Sequence, residues 1–264
     1  MSSQVASSKA ESFFLRHEFL IRRLHSLSGL VPVGAYMVVH LLTNASILNG
    51  PGAFQSNVNM IHNLGAILPV VEWGFIFGPL LFHGLVGVWI ATTGRSNVAH
   101  YRYASNYRYW LQRWSGMLAL LFILVHVLHL HGWFHNDWWH RYVTGPLGMA
   151  VFRPYNASST LAQALSGVVW PVFYALGMLS CVYHLANGIW TAGITWGVWT
   201  TPKSQRLATW LVTAFGIGLG VVGMSALWGV KKVNIPEAIE IEDRMYDQRV
   251  ETGEIKPDPK KRTH

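Results

Sequence analysis

The stretch LQRWSGMLALLFILVHVLHL, residues 111–130, decides the fold. Beyond Arg113 it contains no Asp, Glu, Lys or Arg, yet it carries His126 well inside the apolar run. A helix rises about 1.5 Å per residue, so roughly 20 such residues cross a hydrocarbon core about 30 Å thick. Working outward from this run, near 114–134, four further apolar stretches of spanning length lie near 27–48, 68–92, 166–190 and 207–229. Residues 160–201 hold no acidic residue, no Lys and no Arg. The whole chain of 264 residues is 51% hydrophobic and 12% charged, about half the charge of a soluble domain. These features predict an all-α polytopic membrane protein, with five transmembrane helices in one bundle.

The net charge of +8 resembles a nucleic-acid signal until its placement is read. Basic residues gather in the N-terminal segment (Lys9, Arg16, Arg22, Arg23), after the second apolar stretch (Arg95, Arg102, Arg108, Arg113) and after the fourth (Lys203, Arg206). The loops after the first and third hold only Arg141 and Arg153. Alternation of this kind is the positive-inside rule of membrane insertion. It points to a lipid bilayer and not to nucleic acid, and places the N-terminus in the cytoplasm and the C-terminus outside a multi-pass cell membrane protein. The first 24 residues lack the short apolar core of a signal peptide. They read as a cytoplasmic amphipathic lead-in, with Phe13, Phe14, Phe19, Leu20 and Ile21 among charges. Residues 25–230 form the membrane domain, and 231–264 a charged C-terminal tail with eight basic and eight acidic residues. Within that tail 235–249 has helical character, and 257–264 is expected to be disordered. No internal repeat is visible.

Four of the apolar stretches each enclose a histidine: His40, His83, His126 and His184. An imidazole at membrane depth is costly unless something engages it. Counting residues from the ends of each stretch places His40 and His126 about 22 Å from the inner edge, and His83 and His184 about 8 Å from it. The four therefore sort into an outer pair, His40 with His126, and an inner pair, His83 with His184, at levels about 14 Å apart. Paired imidazoles fill both axial positions of a haem iron and favour electron transfer over oxygen binding. The arrangement fits two stacked redox centres. Gly87 and Gly188 follow the inner histidines by four residues on the same helical face, leaving room for a flat macrocycle. The competing readings are helix–helix hydrogen bonding, zinc, which wants about four ligands at one level, and a proton path, which needs more carboxylates than this membrane domain offers. Cys181 alone cannot hold an iron–sulfur cluster and reads as a packing residue.

Glu72 is the one acidic residue within the apolar stretches. It lies on the outer pair's side, either as a proton acceptor for a quinol head group or as an interfacial residue reaching water. His62, His129, His131, His135 and His140 read as a solvated outer rim, the alternative being proton exchange for quinone chemistry. At the inner level, Arg22, Arg23, His25, Ser26, Ser28, Arg113 and Lys203 are candidates to bind haem propionates by charge-assisted hydrogen bonds, although ordinary topology also accounts for the basic ones. Arg206 shares that level. The glycines Gly216, Gly218, Gly220 and Gly223 read as a close-packing face.

Five motifs carry a resemblance over about residues 14–230. RRLHSLSGLVPVG (22–34) leading to His40, PLLFHG (79–84), LQRWSG (111–116) before His126, HLANGIW (184–190) and TPKSQR (201–206) resemble the cytochrome b subunit of succinate dehydrogenase/fumarate reductase, of the di-haem b558 type. The resemblance implies two haem b groups ligated by His40, His83, His126 and His184, with His25 at a position that is not axial. It also implies partner flavoprotein and iron–sulfur subunits, the succinate site being on another chain, and electron exchange with menaquinone or ubiquinone near the outer haem. The long tail and the His/Trp-rich loop 135–160 depart from that family. The cytochrome b of another quinone-linked dehydrogenase or a hydrogenase, and a haem-free transporter, are the other functions this composition allows.

Overall fold

A computed structural model describes residues 16–134 and 136–262. The residues of the lead-in before Arg16, and His135 of the outer rim, lie outside the described residues. Among the described residues, five helices are long and apolar enough to cross a membrane: α1 (Arg16–Asn49), α3 (Gly65–Thr93), α4 (Ala104–Leu130), α6 (Val169–Thr195) and α7 (Pro202–Lys231). Three shorter helices, α2 (Pro51–His62), α5 (Ala157–Ala164) and α8 (Ile235–Glu251), gather at the end of the bundle where α1 finishes. The chain is thus an all-α polytopic bundle. The helices run past the apolar stretches at most ends, because their polar flanks continue the backbone ladder into the interface. Helix α4 stops at Leu130, where Gly132 and Trp133 take positive φ and turn the chain.

Two spans widen into π-helical turns beside the bundle interior, Gly29–Gly34 in α1 and Glu72–Phe77 in α3. Pro32 lies inside the first and Pro79 just beyond the second, and a proline cannot supply the regular backbone donor. Each turn ends on a glycine set against the carbonyl five residues back. A Cβ on Gly34 would stand 2.9 Å from the Gly29 oxygen, and one on Gly78 2.7 Å from that of Trp73. Such turns inside helices are frequent at functional sites.

The apolar core is uneven. Leu41, Met178, Val182, Leu185 and Leu219 join α1, α6 and α7, and Phe54, Val58, Phe122, Leu161, Tyr174 and Val230 form a second cluster towards the outer helices. The apolar window of α3 has no buried residue. That span stands off from the bundle and borders the large interior cavity.

The tail departs from the expectation of a solvated, partly disordered segment. Helix α8 packs on α5 and α2, and Glu242 is fully buried. Its carboxylate accepts from Ser158 N at 2.5 Å, Ser159 N at 3.2 Å and Ser159 Oγ at 2.5 Å, capping the first turn of α5, whose amides have no intrahelical partner. Beyond it, Tyr155 N donates to the Lys261 carbonyl at 3.1 Å and Arg262 pairs with Asp243 at 2.5 Å. The tail is held because the outer loop presents donors it can satisfy.

Candidate cofactor site

A cavity of about 770 Å³ runs through the bundle and is lined by His40, His83, His126 and His184. His83 (α3) faces His184 (α6) with ring centroids 6.1 Å apart and planes at 80°. His40 (α1) faces His126 (α4) at 5.9 Å, also at 80°. Two imidazoles sharing one metal through bonds of about 2 Å hold their centroids about 6 Å apart, so both pairs have the separation a bridging iron needs.

Second contacts fix the inner rings. The His25 carbonyl lies 2.9 Å from His83 Nδ1, and the Gln112 carbonyl lies 3.0 Å from His184 Nδ1. A carbonyl oxygen only accepts, so Nδ1 carries the proton in each ring and Nε2 keeps its lone pair. A backbone acceptor behind a neutral imidazole is the usual support of a metal-ligating histidine. Ser115 Oγ adds a contact to His184 Nδ1 at 3.3 Å. In the outer pair, His126 Nδ1 is buried without a hydrogen-bond partner, the kind of orphan that calls for an explanation. His126 also packs against Phe122 and Tyr174, each 5.5 Å away.

The rings need space, and two glycines on neighbouring helices supply it. A Cβ on Gly29 would lie 2.2 Å from His83 Cε1, and one on Gly116 would lie 2.7 Å from His184 Cε1. Gly87 and Gly188, read from helical spacing as room for a flat macrocycle, also line the cavity, beside His25 and Gln112. Sequence reasoning missed Gly29, Gly116, Gln112 and Ser115; the signal was their place in the 22–34 and 111–116 motifs. The residues present fit a flat, bis-histidine-ligated group at each pair.

Of the residues expected at the inner level, Arg22, His25, Ser26 and Arg113 line the cavity. His25 stacks on His83 at 4.0 Å with planes 10° apart, and its Nδ1 is buried without a partner. Arg22 pairs with Glu18 at 2.7 Å, and Arg113 donates to the Ala91 and Gly94 carbonyls. Arg23 sits away from the cavity, over the rings of Phe19 and Trp196. Ser28 Oγ donates to the His25 carbonyl at 3.0 Å, and Lys203, in the first turn of α7, does not reach the cavity lining. Glu72 does line it, as does Tyr36.

The outer rim is only partly a rim. His62 lines the cavity, and its Nδ1 donates to the Val58 carbonyl at 3.0 Å. Burial, with Lys261 and Arg249 nearby, lowers its pKa. His131 also lines the cavity. His129 is buried instead of solvated: its ring stacks on Trp170 at 3.7 Å and its Nδ1 meets the Tyr174 hydroxyl at 3.0 Å. It lies on the last turn of α4, facing α6, which is why depth alone misplaced it.

Five membrane helices that enclose two facing imidazole pairs in one cavity define a polytopic helical bundle with an internal histidine-lined site. No family model matches the chain. The chain is 34% identical over 211 residues, 80% of its own length and 96% of the relative's, to the succinate dehydrogenase cytochrome b558 subunit of Bacillus subtilis (strain 168). It therefore belongs to the succinate dehydrogenase cytochrome b family.

Proposed function

We propose that this chain is the membrane-anchor subunit of a succinate:quinone oxidoreductase, passing electrons between an iron–sulfur subunit and membrane quinone through two bis-histidine b haems. The observation that carries the proposal is the pair of imidazole separations, 6.1 and 5.9 Å, inside one cavity. When bound, each haem supplies a one-electron centre whose iron has no open position for oxygen.

The chain's own residues do the rest. His83 and His184 hold the inner group, with the His25 and Gln112 carbonyls setting the tautomer and tilt of their rings. His40 and His126 hold the outer one. Arg22 and Arg113, at the end of the cavity nearest the basic loops, meet propionate carboxylates with positive charge and His25 and Ser26 meet them with hydrogen bonds, while Arg23, Ser28 and Lys203 support that surface from outside the cavity. Glu72, on the outer pair's side, holds a proton beside the quinone head group. The cytoplasmic end receives the iron–sulfur subunit, the flavoprotein subunit binds succinate, and helices α2, α5 and α8 close the bundle on the opposite side of the membrane.

The first test is pyridine haemochrome analysis of the chain purified in mild detergent. Two protohaems per polypeptide are expected, and one or none would overturn the proposal. Replacing His83 or His184 with Ala should remove one spectral component, and replacing His40 or His126 the other. Loss of the same component from the His83 and His126 variants would sink the pairing.

A further inference from the structure

Spans α4, α6 and α7 share a polar chain that leads from the inner mouth of the bundle to the back of one inner imidazole. Arg108 Nε donates to Asn187 Oδ1 at 2.9 Å, and Arg108 Nη1 donates to Thr209 Oγ1 at 3.0 Å. Its guanidinium lies 3.8 Å from the Trp190 ring centroid. Asn187, 3% exposed, donates through Nδ2 to Gln112 Oε1 at 2.7 Å. Gln112 Nε2 then donates to the His184 carbonyl at 3.1 Å, and the Gln112 carbonyl accepts from His184 Nδ1 at 3.0 Å.

The amide orientations leave no freedom. Arg108 only donates, so Asn187 must turn its oxygen to it and its nitrogen to Gln112. Gln112 must then accept at Oε1, which directs its own nitrogen to the His184 carbonyl. One residue thus grips His184 at both the backbone and the ring, and its side chain is set by Asn187. A buried polar amide of this kind is costly unless each group is matched, and here each is.

We propose that Asn187 and Gln112 are positioning residues for the inner haem, fixing the angle and the Nδ1 hydrogen bond of His184 and so tuning the iron it ligates. The inference rests on the assignment of His184 as a ligand. A strong Nδ1–H···O=C bond makes the imidazole a better electron donor, so loosening it favours the reduced iron and raises the inner midpoint potential. The outer pair makes no contact with this chain of bonds and is the internal control.

The test uses the full protein carrying Asn187→Leu, Gln112→Met and both together. Haem is counted first on the unaltered protein: fewer than two per chain is a failure of the proposed function, separate from this inference. The readouts are then the low-temperature EPR signal and the redox midpoint of each haem. Both single variants should displace the inner signal and raise its midpoint while the outer haem is unchanged. The double variant should go no further than the larger single effect, since both act through the Gln112 Nε2 bond to the His184 carbonyl, whose loss keeps the backbone acceptor of Nδ1 but frees the angle at which the ring meets it. Selective loss of the inner haem is the extreme form of that result. An unshifted inner haem, equal shifts of both haems, additive effects or joint loss of both haems overturns it.

Discussion

At the scale of the residue, the cavity depends on atoms that are not there. Gly29 and Gly116 lie against the edges of the His83 and His184 rings, where a methyl group would come within 2.2 and 2.7 Å of ring carbon. Neither ring is a flexible chain end, so each must rotate or retreat. Gly29→Ala and Gly116→Ala are expected to cut haem from two to one per chain, with the inner spectral component lost and the outer kept. Haem stoichiometry and a reduced-minus-oxidised spectrum check this, and two haems in both variants would refute it. The histidines' neighbourhoods were legible in the sequence, because depth follows from counting residues along straight spans: His40 does sit beside His126, and His83 beside His184. The glycines that receive the rings were not. Helical spacing finds Gly87 and Gly188 on the histidines' own helices, and both line the cavity; ring contacts cross to the neighbouring helix, and one sequence does not state which helix that is.

At the scale of the element, the three short helices at the end of the bundle where α1 finishes, with the cap of α5, hold most of the fully buried polar side chains described, among them Gln55, Asn156, Ser158 and Glu242. Gln55 ties α2 to the outer loop and α5 through the Pro154 carbonyl at 2.8 Å and Ala157 N at 2.9 Å, while Arg249 of α8 bonds Glu254 and Asn63. Glu242→Ala leaves the Ser158 and Ser159 amides buried and unmet, at about 1–3 kcal/mol for each lost donor. Hydrogen exchange across α5 and α8 should rise steeply, with the spans little changed. Glu242→Gln should fall between. The same carboxylate sets a pH dependence. Burial raises its pKa above the ordinary range despite the bonds it accepts from Ser159 and Ser158. The folded cap therefore binds that proton more tightly than the unfolded chain does. Its contribution to stability is complete below the ordinary carboxylate pKa, falls as pH rises through the raised value, and is level above it. Protection factors in α8, with the intrinsic pH dependence of amide exchange divided out, should fall over that window in the native protein and stay level in Glu242→Gln; a fall that survives in the variant would assign it to another group. The helical character of 235–249 was readable in the sequence, but its docking was not: Ser158 and Glu242 are 84 positions apart, and a charged segment after a last span reads as solvated until its partner donors are known.

At the scale of the whole molecule, the uneven core adds a second argument to the imidazole pairs for a bound prosthetic group. Helix α6 packs closely on α4 and on α7, and α7 on α1, yet the apolar window of α3 buries nothing. It touches the π-helical turn of α1 and helix α4, and its ring contacts with other elements include His83 against His25 and His184 and Phe77 near His131 and Trp133. A span held so lightly by protein atoms alone gains its inner wall from whatever occupies the cavity. A group that binds only the folded bundle stabilises it by mass action, and here the stabilisation falls on one helix. Protein made in a haem-deficient host should therefore lose order locally. Hydrogen exchange in Gly78–Thr93 is expected to rise far more than in Val169–Thr195, and protease should cut sooner in the 94–103 loop that follows α3. Added protohaem should reverse both changes in native protein, and less completely where His83 has been replaced by Ala. Equal loss of protection in all five spans would mean that the cavity is closed by protein repacking and that haem stabilises the bundle without holding α3 in place.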